Sequence, residues 1–362
     1  MALLAIWVVY PGVIAILSRV RRRRLGPGVI ATPRVSVVIA TRETAGLVLE
    51  RIRDCLRTTY AHDRLEIIVA HDRNSPAIDT ADLNPSPAEI RIVAADAPGG
   101  KAGALNAGVR AATGEVVVFA DTHQRFDEHA IPRLVEAVST EGVGAATGNY
   151  ELAPGAGALV SFYWRFERWL RSAEARVHSS VGATGAVYAI RRALWSPLPS
   201  GLILDDVYTP MRIVLAGQRV EFVEQAHALE LRAPTPTQEY GRKVRTLTGV
   251  LQLCAWLPGV LLPWRNPIWP QFVFHKVLRL LTPWLLVLLV AALLATLVTT
   301  LSGASLLAGA IAVLAALSWV ALSRGHRGSR LRHFLLEAVL LQIAVLMAGI
   351  NGLRGRWQVW DA

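Results

Sequence analysis

The sequence predicts an α/β domain, a mostly parallel sheet between helices, joined to transmembrane helices. Three observations carry that prediction. Between residues 33 and 250, short β-branched apolar runs alternate with amphipathic helical stretches. Outside that region lie long uncharged runs, at 2–18 and again near 280–301, 304–322 and 334–353. Arginines gather at the edges of those runs.

The N-terminal run of 2–18 is followed by Arg19 and the cluster Arg21 to Arg24. At about 1.5 Å per residue it has the length of a short membrane span. A cleaved signal peptide carries its positive charge before the apolar run, and here the order is reversed. The positive-inside bias then puts residue 1 outside and Arg21 in the cytoplasm. The other reading is a basic surface segment lying on anionic lipid.

Inside the soluble region the runs VSVVIA (35–40), EIIVA (66–70), EIRIVAA (89–95) and EVVVFA (115–120) predict strands, with helices at 45–57 and 102–112. Apolar runs this continuous belong to parallel strands covered on both faces. Ligands of such sheets gather beyond the carboxyl ends of the strands. That places Thr41-Arg42-Glu43, His71-Asp72 and Asp121-Thr122-His123 where a site should be. After 250 the chain is apolar but broken by Pro258, Pro263, Pro267 and Pro270, and rich in tryptophan. An interfacial segment over 251–275 suits that pattern, followed by about three spans within 276–353 and a tail at 354–362. The linker 323–333 carries Arg324, Arg327, Arg330 and Arg332 and is expected in the cytoplasm, on the same side as the domain.

Composition limits the possibilities further. Over half of the 362 residues, 53%, are hydrophobic, which excludes a disordered chain. Two cysteines, Cys55 and Cys254, cannot build a disulfide framework. The formal charge of +11 lies largely at membrane boundaries, so nucleic acid is not an expected partner. Of the 38 basic residues only Lys101, Lys243 and Lys276 are lysines.

Lys101 stands in GGKAGALNAG (99–108), a glycine pair and a lysine at a helix N-terminus. Backbone N–H groups, the helix dipole and an ammonium converge there, which suits a diphosphate. Asp72, at the end of the second strand, is placed either to accept hydrogen bonds from a nucleobase or ribose, or to cap the next turn. Asp121 and His123 are two residues apart and fit one divalent cation bridging phosphates; the other reading of Asp121 is a cap for a helix at 127–139. Asp205 and Asp206 open a helix at 207–216, as dipole partners or as a general base with its neighbour. Arg242 and Arg245 share one helix face, as a solvated charge run or a phosphate clamp.

Taken in order, these elements resemble a membrane-bound family 2 glycosyltransferase of the cellulose, chitin and hyaluronan synthase branch, with its nucleotide-diphospho-sugar transferase (GT-A) fold. VSVVIATRE (35–43) resembles the opening strand, VAHDRNS (69–75) the second strand with its uracil-contacting acid, and GGKAGALNAG the GK-AxxNxG element. FADTH (119–123) occupies the DxD position, GATGAVYAIRR (182–192) the acceptor-side strand, and LDDVYTPMRI (204–213) the TED position. RKVRT (242–246) falls where processive synthases carry QxxRW. Three departures stand out: His123 replaces the last Asp of DxD, Arg42 replaces a frequent Asn, and the QxxRW Gln and Trp are missing.

The resemblance implies transfer of a sugar from a nucleotide-sugar, a UDP-sugar in particular, to an acceptor hydroxyl on a lipid or membrane-linked glycan, with inversion. It implies Asp206 as base with Asp205 beside it, and donor contacts from Thr41, Glu43, Asp72, Lys101, Asp121, Arg242 and Arg245. It implies Mn²⁺ or Mg²⁺ on Asp121 and His123, with His227 as a further candidate ligand, in a multi-pass protein of the plasma membrane whose catalytic domain faces the cytoplasm. A processive polysaccharide synthase and a non-catalytic nucleotide-sugar-binding protein remain the alternatives; Thr246 argues against the first and the retained acids and bases against the second.

Overall fold

The computed structural model describes residues 1–20, 32–72, 78, 85–153, 158–231, 236–300, 302–305, 309, 311 and 326–357. The Arg21–Arg24 cluster, residues 73–75 and most of the expected span 304–322 lie outside the described residues.

One eight-stranded sheet forms the body, in the order β3-β2-β1-β4-β7-β6-β8-β5. The strands are β1 (Val35–Thr41), β2 (Leu65–His71), β3 (Glu89–Ala94), β4 (Val116–Ala120), β5 (Gln124–Phe126), β6 (Val143–Glu151), β7 (Val187–Arg191) and β8 (Arg219–Glu230). The four predicted strands β3, β2, β1 and β4 run parallel, with Val35 beside Leu65 and Val116. Beyond β4 the sheet becomes mixed: β7 is antiparallel to β4 and β6, β8 is parallel to β6, and β5 is antiparallel to β8.

Period-two alternation sorts the strand residues between two cores. Val38, Ile68, Val117 and Phe119 face Leu105 and Val109 of the helix Gly100–Ala111. Val37, Ile39, Ile67, Val69 and Val118 face the helices Ala45–Cys55 and Ala130–Val138 through Val48, Ile52, Ile131 and Leu134. Burial on both faces is the reason these strands are continuously apolar. Glu66 is a buried exception on β2. Burial alone would raise its pKa, but hydrogen bonds from Ser36, Thr113 and Arg91 outweigh it and hold the carboxyl at about 2.

Among the described residues, three helices are long and apolar enough to cross a membrane: Ala2–Val20, Trp269–Thr300 and Leu335–Leu353. The stretch expected as one interfacial segment, 251–275, is divided instead. Its first residues complete the helix Pro236–Trp256. Its prolines break the chain into turns, and Val260, Ile268 and Phe272 are fully buried in the domain core. Only then does the long helical run Trp269–Thr300 begin. Residues 326–333, expected as part of a linker, are the first turns of the helix His326–Leu353.

A buried ionic joint holds these parts together. The helix Ala158–Val177 supplies Glu167 and Glu174, and the start of the Trp269–Thr300 run supplies His275 and Arg279. His275 Nε2 lies 2.9 Å from Glu167 and Nδ1 lies 2.9 Å from Glu174. Arg279 pairs with Glu167 and stacks its guanidinium 4.6 Å from the Trp7 ring. Tyr10, in the N-terminal helix, donates its hydroxyl to Glu174.

Candidate active site

The carboxyl ends of β1, β2 and β4 come together as the strand pattern requires. Thr41 Oγ1 accepts from the Glu43 N–H at 3.0 Å and from the Thr122 hydroxyl at 3.0 Å, which ties β1 to the turn after β4. Glu43 Oε1 then meets His123 Nε2 at 3.2 Å. The Asp72 N–H donates to the Thr41 carbonyl at 2.9 Å. Beside Asp72 the chain passes through Gly99 at φ 103°, and a Cβ there would sit 3.2 Å from Asp72 Oδ1. Glycine at 99 therefore satisfies both a positive φ and a close approach to the acid.

Lys101, in the first turn of the helix Gly100–Ala111, reaches across to two strand and helix ends at once. Its Nζ is 3.3 Å from Asp121 Oδ1 and 3.3 Å from Asp205 Oδ1. Asp121 follows β4 and its side chain is 37% exposed, whereas that of Asp205 is 8% exposed. Asp121 thus answers to the lysine, not to a helix cap. Burial pushes the Asp205 carboxyl up, Lys101 pulls it back, and the charges of Asp206 and Asp121 push again, leaving it at about 6. Burial opposes the Lys101 charge, but the three carboxylates outweigh it and raise the lysine pKa.

Asp205 and Asp206 are the first two residues of the helix Asp205–Leu215, which starts two residues earlier than the sequence pattern indicates. Asp206 Oδ2 accepts the Gly185 N–H at 3.1 Å, and its carbonyl accepts the Ala183 N–H at 2.7 Å. A Cβ at Gly185 would lie 3.2 Å from that carboxylate oxygen. Arg245, from the helix Pro236–Trp256, completes the cluster. Burial lowers its pKa, while Asp206, Asp121 and Asp205 act in the opposite direction.

Two predicted site residues turn elsewhere. Arg242 pairs with Glu239 at 2.6 Å and lies over the Trp164 ring at 5.5 Å. His227, on β8, sits 2.7 Å from Glu151 Oε1 and 3.3 Å from the Asn149 amide. Among the described residues no group of three or more His, Cys, Asp and Glu side chains is arranged to hold a metal ion. Asp121 and His123 thus offer two donors, one oxygen and one nitrogen.

Sequence reading missed the parts that brace the cluster. Thr122 has its place at the site from the strand end but no role from its residue type, and it bonds the turn after β4 to β1. Gly185 was read only as part of a strand and turn, and its N–H fixes the Asp206 carboxylate. Asn106 clips the lysine helix to the chain before Asp205, donating to the Leu198 carbonyl at 2.9 Å and accepting its N–H at 2.7 Å. The Asn of GGKAGALNAG was the available signal for that clip.

Residues 33–249 match the family described as glycosyltransferase like family 2. The match takes in more than half of the chain, which belongs to that family. A probable glycosyltransferase of Bacillus subtilis, YdaM, is 25% identical over 219 residues, covering 56% of this chain and 52% of the relative. An uncharacterized glycosyltransferase of Nostoc sp. is 31% identical over 125 residues, covering 34% of this chain and 38% of the relative. The matches thus span about half or less of these curated relatives. Among solved structures, the mannosyltransferase PcManGT of Pyrobaculum calidifontis, in complex with GDP-Man and Mn²⁺, superposes with a TM-score of 0.68. It is 22% identical and the match covers 99% of this chain and 97% of that one, so the whole fold is shared.

Proposed function

We propose that the chain moves a sugar from a nucleotide-sugar, a UDP-sugar in our reading, to a hydroxyl of a lipid or membrane-linked glycan acceptor, with inversion at the anomeric carbon. The observation that carries this is the position of Lys101, 3.3 Å from both Asp121 and Asp205. One ammonium thereby spans the strand end where a diphosphate would lie and the helix start where the acceptor would be activated. Lys101 and Arg245 stabilise charge that develops on the leaving nucleotide. Asp206, its carboxylate aimed by the Gly185 N–H, takes the proton from the acceptor hydroxyl, with Asp205 held beside Lys101. Asp72, Thr41 and Glu43 border the space for the nucleoside, and Arg242 contributes positive charge from behind Arg245.

The donor set fits a divalent cation. Asp121 and His123 are both accessible at the open end of β4, and a diphosphate and water would complete the shell. A carboxylate with an imidazole suits Mn²⁺ better than Mg²⁺. When bound, the ion neutralises charge on the diphosphate. The Mn²⁺ and the nucleotide-sugar in the Pyrobaculum structure support this reading. His227, paired with Glu151, is the weaker candidate ligand.

Within the cellulose, chitin and hyaluronan synthase branch, Thr246 in place of the QxxRW Trp favours single or short transfer over a long polymer. Three candidate spans and the arginine distribution support a multi-pass plasma-membrane protein with the domain in the cytoplasm. Cysteines placed in the 21–24 cluster and at 327 should both resist a membrane-impermeant thiol reagent in intact cells; labelling at either reverses the orientation. The test of the activity is a panel of UDP-, GDP- and TDP-sugars given to the purified chain in detergent with Mn²⁺. UDP-sugar hydrolysis should be fastest. Preference for a GDP- or TDP-sugar overturns the donor assignment, and no turnover of any donor overturns the reading.

A further inference from the structure

Beside the carboxylate cluster, a groove runs between the helix Ala158–Val177 and the ends of β6 and β8. One cavity of 420 Å³ is floored by Asn149, Glu151 and His227 and walled by Arg165, Arg168 and Trp169. A second, of 360 Å³, continues it past Tyr150 and Trp164 and shares Glu151, Arg165 and Arg168. We infer that this groove seats the phosphate of a membrane phospholipid, and that a hydroxyl of that same lipid is the acceptor: its proton passes to Asp206, its oxygen bonds the anomeric carbon, and the nucleoside diphosphate leaves with the electrons of the broken glycosyl–phosphate bond. The inference deepens the proposed function and rests on its membrane-borne acceptor.

Charge is the first argument. Two carboxylates line the groove, and both are engaged: Glu224 accepts from Ser172 and, at 3.0 Å, from Arg176, while Glu151 meets His227 at 2.7 Å. Arg165 has no ion pair among the described residues, and Arg168 meets the Asn149 carbonyl oxygen at 3.5 Å and lies near enough to Glu224 to help lower its pKa. Three guanidinium groups, Arg165, Arg168 and Arg176, thus line a cavity that holds two carboxylates, which leaves it with positive charge to spare. Their planar forks match phosphate oxygens in a bidentate way that a neutral sugar or glyceride cannot satisfy.

Position is the second. Asn149 and Glu151 stand at the carboxyl end of β6, in register with His227 and Leu229 of β8. Two residues back, Thr147 Oγ1 accepts the Thr184 N–H at 2.9 Å, and the next residue, Gly185, holds the Asp206 carboxylate. The groove therefore opens at the same edge of the sheet as the base. The helix that walls it also packs against the N-terminal candidate span, through Tyr10 on Glu174 and Trp7 beside Phe166. The same helix exposes Phe162 (61%) and, in the wall of the groove, Trp169 (40%), and an exposed indole such as that of Trp169 settles at headgroup depth. Phosphate affinity, membrane proximity and access to the base meet in this one groove.

The test uses the full chain in a neutral detergent, titrated with dioctanoyl phosphatidic acid, dioctanoylglycerol and inorganic phosphate, in the absence of donor. Phosphatidic acid should bind tightest of the three. Arg165→Glu with Arg168→Glu should weaken it about tenfold or more, and Arg165→Lys with Arg168→Lys should keep an intermediate affinity. Thermal unfolding in the same detergent checks that each variant is folded, and the Lys pair serves if the Glu pair is not. In membranes, the same order should appear in label passed from donor to extracted phospholipid. Equal affinity for dioctanoylglycerol, equal affinity for free phosphate, or unchanged binding in the folded variants overturns the inference. So does label found only in neutral glycan. Because binding is read without donor, its failure is distinct from failure of donor turnover, which would instead strike the proposed function.

Discussion

Two ionic clusters in this chain use similar residues to opposite ends. At the strand ends, three carboxylates, Asp121, Asp205 and Asp206, gather around Lys101 and Arg245, and the cluster stays open to solvent through Asp121. At the membrane joint, Glu167 and Glu174 are matched by Arg279, His275 and, at 3.9 Å, Lys276, and the cluster is sealed. The first is crowded with like charge, so the Asp205 carboxyl is held up at about 6. In the second, burial would raise the Glu167 pKa, but His275, Arg279 and Lys276 drive it well below the ordinary value. A cluster whose charges frustrate one another is ready for a charged ligand. One whose charges are matched holds elements in place.

The sharpest break between them is at Asp206. Asp206→Asn should lower sugar transfer roughly a hundredfold to ten-thousandfold while nucleotide-sugar affinity changes little, measured as turnover against donor binding. Substantial residual transfer would remove Asp206 as base. At the joint the same kind of change should strike stability. Glu167→Gln removes the carboxylate paired with Arg279 and leaves His275 with Glu174 alone, and should cost about 3–5 kcal/mol, read as a fall in the unfolding temperature in detergent. Asp205→Asn, which relieves like-charge crowding, should leave that temperature unchanged or raise it. If both variants destabilise equally, the contrast fails.

Lys101→Met should come next, with a loss of about a hundredfold in transfer. It also carries a pH signature. In the folded chain Asp205 keeps its proton between its ordinary 3.8 and about 6, where the unfolded chain has released it. Its contribution to stability therefore falls as pH rises through that window, while its charge, needed beside Lys101, is complete only above it. Transfer should climb with pH through about 6 in the wild type, and that limb should move to higher pH in Lys101→Met, because the group that pulls the carboxyl down is gone. An unmoved limb would separate Asp205 from the rate. The smallest effect is expected at His123, where His123→Asp should shift metal preference from Mn²⁺ toward Mg²⁺ in titrations with donor present. Unchanged preference would free His123 of a ligand role.

Three of the first four strands, β1, β2 and β4, were legible because both of their faces are buried, which forces a nearly unbroken apolar run; β3 is half exposed and was legible only as the short β-branched run EIRIVA. β8 was not, because Glu221, Glu224 and Gln225 interrupt it and half of it faces solvent or the Ala158–Val177 helix. The chemistry of the site was legible as motifs: a lysine after two glycines, an acid after each strand. Their convergence was not, since no local pattern says that Lys101 meets Asp205. Arg242 shows the limit of helical spacing, which set it beside Arg245 but could not foresee Glu239 and Trp164 drawing it aside. The membrane joint left no periodic trace, because the partners of Glu167 lie a hundred residues away in an apolar run.

The helical run Trp269–Thr300 starts in the domain, with Phe272 fully buried in its core, and ends among exposed apolar side chains such as Val298. With the proposed membrane placement, domain and bilayer share one shaft instead of a loose tether. The site is then kept at a constant height, and the membrane-borne acceptor proposed above needs only lateral diffusion to find it. A search through a volume becomes a search across a plane, and much of the translational and orientational entropy of the encounter is given up before the substrates meet.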